Sequence, residues 1–275
     1  MTKQLPQPAA RSYRFFYWAA SILVCAGVVF ISMDAYIQHT ERNNSLQLKN
    51  QMLSLYHTKA QPNTEQANES TELTKEASAV AKGPTENERF QSLLAINKEI
   101  IGWLHVDGTS VDYPVLQHKD NDYYLNRDAS GKKSIYGSVF MDYRLDTNQE
   151  QRNLVIYGHN MIDGSMFGSL GNYKNKDFFA EHRNINWGIQ GKMSDWEIFS
   201  VYTIDASKDT VDISYENDDA FLLALDQYRK KSMYQAAVTL QKDDQILTLV
   251  TCSNETDDTR LVIHAVKKGP RAPFS

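Results

Sequence analysis

Gln245-Ile246-Leu247-Thr248-Leu249-Val250-Thr251-Cys252 is an apolar run that stops at a thiol, and Arg260-Leu261-Val262-Ile263-His264-Ala265-Val266 resumes eight residues later. Each run is short and rich in β-branched and aliphatic residues, so each reads as a buried strand. Side chains alternate along a strand, which places Ile246, Thr248, Val250 and Cys252 on one face. Cys252 falls where the strand ends, and strand ends meet the surface. The segment 253–259 that follows is polar, so the thiol is expected to face a cleft. From position alone a nucleophile and an inert core cysteine both fit.

Further short strands are read at 100–106, 111–116, 138–142, 153–157, 196–204 and 236–240, separated by Gly, Asp and Asn turns. In 196–204 the residues Trp196, Ile198, Ser200, Tyr202 and Ile204 are expected to share one face. Thr85-Glu86-Asn87-Glu88 fits a capping box, opening a short helix through Phe90, Leu93 and Leu94. The segment from Phe221 to Arg229 reads as a second, inserted helix, with Phe221, Leu222, Leu225 and Tyr228 on one side. Eight short strands with few helices point to a mostly β fold, a closed eight-stranded barrel.

The N-terminus has another character. Residues 15–33 are 19 consecutive uncharged positions. At about 1.5 Å per residue they span roughly 28 Å, one bilayer core. Lys3, Arg11 and Arg14 precede them and Asp34 follows. Positive charge stays on the cytoplasmic side, so the N-terminus is expected inside and the rest of the chain outside. A cleaved signal peptide has a shorter apolar core and a small-residue cleavage site, so an uncleaved anchor is the better reading. The expected division is a basic tail at 1–14, a transmembrane helix at 15–33, a helical stalk at 34–60, a flexible linker at 61–85 and a globular domain at 86–275. In the stalk Leu48, Met52, Leu55 and Tyr56 form one apolar face, suited to packing on the globular domain or the membrane. The linker is polar and has no aromatic residue, so it cannot bury enough surface to offset its ordering entropy.

The chain has two cysteines. Cys25 lies inside the apolar segment, which leaves Cys252 without a partner in the outer domain. The net charge of −5 gives no basic face for nucleic acid. No Gly-rich phosphate loop and no Cys/His zinc spacing occurs, so no cofactor and no metal is expected.

Of the seven histidines, His159 follows both a strong strand, Asn153-Leu154-Val155-Ile156-Tyr157, and a glycine that can bend the chain. A histidine on a loop held by a scaffold suits general acid–base work. A solvated loop histidine is the other reading. Arg260 can stabilise an oxyanion through its several donors. Taken by itself it fits a salt bridge to Asp257, Asp258 or another acid better.

Taken together, Thr248-Leu249-Val250-Thr251-Cys252, Arg260-Leu261-Val262-Ile263-His264 and Tyr157-Gly158-His159-Asn160 resemble the sortases, membrane-anchored cysteine transpeptidases of Gram-positive bacteria. The resemblance covers roughly residues 88–268. It is closest to class B through Ile101-Gly102-Trp103-Leu104, Tyr113-Pro114-Val115-Leu116-Gln117, Asp122-Tyr123-Tyr124-Leu125 and Gly137-Ser138-Val139-Phe140-Met141-Asp142, and through the long insert carrying the Phe221 helix.

The resemblance implies a sortase-type barrel and three catalytic residues. Cys252 would attack the carbonyl of a threonine in a sorting signal, giving a thioester. His159 would protonate the leaving amine and later deprotonate the incoming one. Arg260 would hold the substrate and its developing charge. Val250, Thr251 and Asn160, which adjoin the thiol and the histidine, are the expected substrate contacts. Class B members often carry serine where this chain has Val250, which bears on motif preference. The implied partners are surface proteins or pilins with a sorting signal, Asn-Pro-x-Thr-x for this class. A cell-wall precursor peptide is the implied amine acceptor. Polymerisation of pilins through a lysine, plain cysteine hydrolysis and a non-enzymatic surface protein are the alternatives. An L,D-type transpeptidase would show Ser-x-Gly-Cys around the nucleophile, which Val250-Thr251-Cys252-Ser253 does not.

Overall fold

Eight strands close into one barrel in the order β1-β2-β3-β4-β7-β8-β6-β5. The computed structural model describes residues 10–57, 85–252 and 259–269. The tail before residue 10, most of the expected linker, and Asp257 and Asp258 lie outside the described residues. The strands are β1 (Ile100–Val106), β2 (Asp112–Leu116), β3 (Phe140–Met141), β4 (Asn153–Tyr157), β5 (Asn184–Ile189), β6 (Lys192–Asp205), β7 (Ile246–Cys252) and β8 (Thr259–Lys267). The β2–β3 and β4–β7 pairs are parallel, and the remaining pairs are antiparallel. The helices are α1 (Ala10–His57), α2 (Glu86–Leu94), α3 (Lys176–Glu181) and α4 (Asp218–Lys231).

The closed barrel agrees with the sequence, but its strand set differs at two places. The segment 236–240 forms no strand: Val238 N–H turns back to the Ala236 carbonyl at 2.9 Å. The strand 184–189 takes the vacant place. Its alternation of Ile185, Trp187 and Ile189 is interrupted by Asn184, Asn186 and Gly188, which read as turn residues. Gln190 and Gly191, at φ +50° and +79°, join it to β6 in a two-residue hairpin. Positive φ at both positions matches the twist of the flanking strands.

A second correction concerns β6. Ile198 pairs with Ala265 but Ser200 pairs with His264, so Phe199 is an extra residue in a β-bulge. The bulge reverses the alternation. Trp196 and Ile198 therefore lie on the opposite face from Ser200, Tyr202 and Ile204. Both faces are covered, and all of these residues are buried.

The helix ends follow local chemistry. Thr85 and Glu88 complete a reciprocal capping box at α2. Asn217 accepts from the Ala220 N–H at the start of α4, whose first turn is acidic and last turn basic. That arrangement complements the helix dipole. Phe221, Ala224, Leu225 and Tyr228 form the buried face of α4.

The chain divides into two compact units, Met1–Leu46 and Gln47–Ser275. In the first, one helix is long and apolar enough to cross a membrane, and its apolar residues from Phe16 to Ile37 are exposed. This is consistent with a single-pass anchor. In the second, the last turns of α1 pack on the barrel. Met52 and Tyr56 join Phe90, Leu93, Ile100, Trp103 and Tyr124 in a satellite core. Tyr56 stacks on Trp103 at 4.2 Å between centroids, and His57 Nε2 meets Asp112 Oδ2 at 3.1 Å.

Candidate active site

Two strand pairings create the site. In the antiparallel β7–β8 pair, Cys252 is the register partner of Arg260. In the parallel β4–β7 pair, Tyr157 is the register partner of Val250. Both β4 and β7 run in the same direction, so the residue two beyond Tyr157 leaves its strand level with the residue two beyond Val250. Those residues are His159 and Cys252. The backbone thus brings 159, 252 and 260 to one end of three adjacent strands, although 93 positions separate the first two.

The His159 loop is fixed by several contacts. Gly158 N–H donates to the Val250 carbonyl at 3.3 Å, tying the loop to β7. The His159 carbonyl accepts from the Phe167 N–H at 2.9 Å, and Asn160 forms an antiparallel bridge with Met166. A side chain at Gly158 would run into the Phe167 ring at 2.8 Å, so glycine lets that ring close over the loop. The imidazole is half-buried, and its Nε2 lies 2.6 Å from the Leu125 carbonyl oxygen.

Arg260 is half-buried, and among the described residues it forms no ion pair. Its guanidinium acts electrostatically on Tyr157, whose phenol burial and the Asp142 charge push upward. Tyr157 donates to Asp142 Oδ2 at 3.0 Å, and Asn121 Nδ2 donates to the same oxygen at 3.1 Å. Arg144 bonds both carboxylate oxygens of Asp142, at 2.9 and 2.7 Å. Burial alone would raise the Asp142 carboxyl, but the Arg144 and Tyr157 bonds overcome it and hold it below the usual carboxylate range. This buried carboxylate cluster props up the strand that leads to His159. Sequence reasoning missed it: Asp142 reads as the end of a strand and part of the class B resemblance, and nothing local pairs it with Arg144, Asn121 and Tyr157.

The three expected substrate contacts fall in different settings. Val250 and Thr251 are 1% and 3% exposed, so their side chains offer no open surface in this structure. Asn160 is half-buried beside the histidine. Among the described residues no group of three or more His, Cys, Asp or Glu side chains is placed to hold a metal ion.

Beneath the thiol's strand lies a fully bonded polar network. Thr248 Oγ1 donates to Asn153 Oδ1 at 2.6 Å, so it accepts from His264 Nδ1–H at 2.9 Å. His264 Nε2 in turn accepts from the Tyr202 hydroxyl at 2.9 Å. Complete burial pushes this imidazole down to about 3, with the Lys231 charge adding to the effect. His264 is therefore a neutral structural group, bonding β4, β6, β7 and β8 together below the site.

A sortase domain model matches residues 104–268. Sortase B of Listeria monocytogenes is 35% identical over 184 residues, covering 67% of this chain and 75% of that protein. Sortase B of Staphylococcus aureus is 34% identical over 180 residues, covering 66% and 74%. The crystal structure of sortase B from Bacillus anthracis superposes with a TM-score of 0.69 at 32% identity, covering 84% of this chain and 100% of that one. With the closed barrel and the inserted helix in agreement, this chain belongs to the sortase family and is a transpeptidase of class B.

Proposed function

We propose that this transpeptidase cleaves a C-terminal sorting signal of the form Asn-Pro-x-Thr-x after its threonine and transfers the new carboxyl end to a cell-wall peptide amine. The observation that carries the reading is the strand register, which gathers His159, Cys252 and Arg260 at one barrel end from three separate stretches of chain.

In this reading the Cys252 thiolate adds to the threonine carbonyl carbon. The Arg260 guanidinium stabilises the oxyanion of the tetrahedral intermediate. The intermediate collapses with cleavage of the C–N bond, and protonated His159 gives its proton to the departing amine. A thioester on Cys252 remains. An incoming amine then attacks the thioester carbonyl, His159 takes the amine proton, and the C–S bond breaks to release the Cys252 thiolate. Asn160 contacts the substrate on the histidine side, whereas Val250 and Thr251, with their side chains buried, meet it only through their backbone. The apolar helix at the N-terminus anchors the enzyme as a single pass, with the N-terminus cytoplasmic and the barrel outside. The expected partners are surface proteins that carry the signal.

The test uses the unit from Gln47 onward, mixed with a peptide carrying Asn-Pro-Gln-Thr-Asn, with and without an amine acceptor. Mass spectrometry should find an acyl adduct on Cys252 that moves to the amine. The adduct should be absent in Cys252→Ala, and turnover should fall by about 10⁴-fold or more in His159→Ala. An adduct released only to water, with no transfer to any amine offered, would overturn the proposed cell-wall acceptor. Adduct formation on a Leu-Pro-x-Thr-Gly peptide alone would overturn the proposed signal.

A further inference from the structure

The Leu125 carbonyl can only accept a hydrogen bond, so its 2.6 Å contact with His159 Nε2 requires the proton on that nitrogen. A neutral imidazole with Nε2–H has its lone pair on Nδ1. The contact therefore decides which nitrogen is free to exchange protons.

Gly137 makes the contact possible. Its φ is +58°, and a Cβ built there would lie 2.6 Å from the Leu125 carbonyl oxygen, 2.8 Å from the Tyr124 carbonyl oxygen and 2.9 Å from His159 Cδ2. All three distances are shorter than real Cβ contacts. Two of the neighbours are backbone, and the third is the imidazole itself. The backbone cannot easily retreat. Ser138 N–H donates to the Tyr124 carbonyl at 2.9 Å, and Ser138 Oγ donates to the Arg127 carbonyl at 2.8 Å. Tyr124 is 1% exposed, and its hydroxyl is bonded by Asn97 and Glu99.

We propose that Gly137 is a positioning residue of this site: by having no side chain it lets the Leu125 carbonyl lock His159 in the Nε2–H form, which makes Nδ1 the nitrogen that exchanges protons in acyl transfer. The proposal builds on the role given to His159 above. In the first half-reaction Nδ1 carries the extra proton and releases it to the leaving amine. In the second, Nδ1 takes a proton from the attacking amine. Nε2–H stays bonded to Leu125 throughout.

The test uses the full chain in detergent micelles. Long-range ¹H–¹⁵N imidazole spectra, with His159→Gln to assign the signal, should show neutral His159 with Nε2 protonated and Nδ1 bare. An Nδ1–H tautomer overturns the proposal. This readout needs no substrate, so it stands even if no peptide is turned over and the proposed function fails. Gly137→Ala should lower kcat by about 10²-fold with KM changed less than threefold, and should mix the two tautomer signals. Gly131→Ala is the control. Gly131 also has positive φ, +84°, but a Cβ there meets only the Tyr123 hydroxyl at 3.9 Å. It should keep both kcat and the tautomer. Equal losses in the two variants, or an unchanged tautomer in a folded Gly137→Ala protein, would sink the idea. If Gly137→Ala does not fold, the tautomer of the unmodified protein decides.

Discussion

Asp142 shows how a residue outside the proposed catalytic set can hold a site in place. Its carboxylate has no exposed side-chain surface, while the Arg144 that neutralises it is 44% exposed. Losing one partner of such a pair leaves a buried charge, which costs more than the pair itself contributes. Arg144→Ala should therefore destabilise the fold at pH 7 by about 2 kcal/mol, the solvent-facing side of the arginine moderating the loss. The sign with pH follows from the carboxyl. Arg144 helps hold Asp142 below the usual carboxylate range, so the bond stabilises above that range and is lost as the group protonates. The deficit of the variant, read from urea melts, should persist down to about pH 4 and shrink only as pH falls below the usual carboxylate range, about 3.8. A constant deficit across pH would mean that Arg144 acts by packing. The residues proposed as catalytic differ in how they could be read. His159 and Arg260 stood out in the sequence through a strand exit and a strand start. The Leu125 carbonyl, a backbone atom 34 residues from the histidine it bonds, left no sequence signal at all.

At the scale of elements, local chemistry wrote the boundaries well where a cap or a turn is involved. The capping box at Thr85 is present as read, with Thr85 N–H donating to Glu88 Oε2 at 2.7 Å and Glu88 N–H donating to Thr85 Oγ1 at 3.3 Å. Thr85→Ala should cost about 1 kcal/mol in a chemical melt, and Thr85→Ser much less. An equal loss in both variants would place the contribution in the threonine methyl rather than the cap. The errors have one cause. Periodicity reports a face only while the chain keeps its register, and the bulge at Phe199 breaks it in the middle of β6. Likewise 236–240 has strand-like composition but joins no described strand, whereas 184–189 looks like a loop and is paired on both sides. A strand exists by virtue of its partners, so short segments with mixed composition are settled by which edges are open.

For the molecule as a whole, the buried His264 network joins four strands beneath the active-site end. Its consequence is a pH dependence of global stability. The folded-state value is lowered to about 3, whereas an unfolded histidine titrates near 6.5. Between these limits the unfolded chain binds more protons, so the stability from a neutral His264 is complete above about 6.5 and is lost as pH falls towards 3. The slope contributed is up to about 1.4 kcal/mol per pH unit. Melts of the wild type and His264→Asn between pH 7 and pH 4.5 should show a shallower acid dependence in the variant, whatever its starting stability. Parallel slopes would mean that another group governs acid sensitivity.

Local stretches of sequence were enough to read the class of the fold, the apolar N-terminal helix, the capped helices, the cysteine at a strand's end and the two residues that join it. Each of these is written in contiguous residues: an uncharged run, a capping box, an alternating strand, a glycine before a histidine. The tertiary structure alone decided the rest. It set which strands are parallel, and so brought residue 159 level with residue 252. It placed the last turns of α1 against Trp103, buried Val250 and Thr251, and gave His159 its carbonyl partner. These features depend on contacts between residues distant in the chain. Closing the barrel fixes every strand's neighbour and register at once, a constraint that no local stretch of sequence carries.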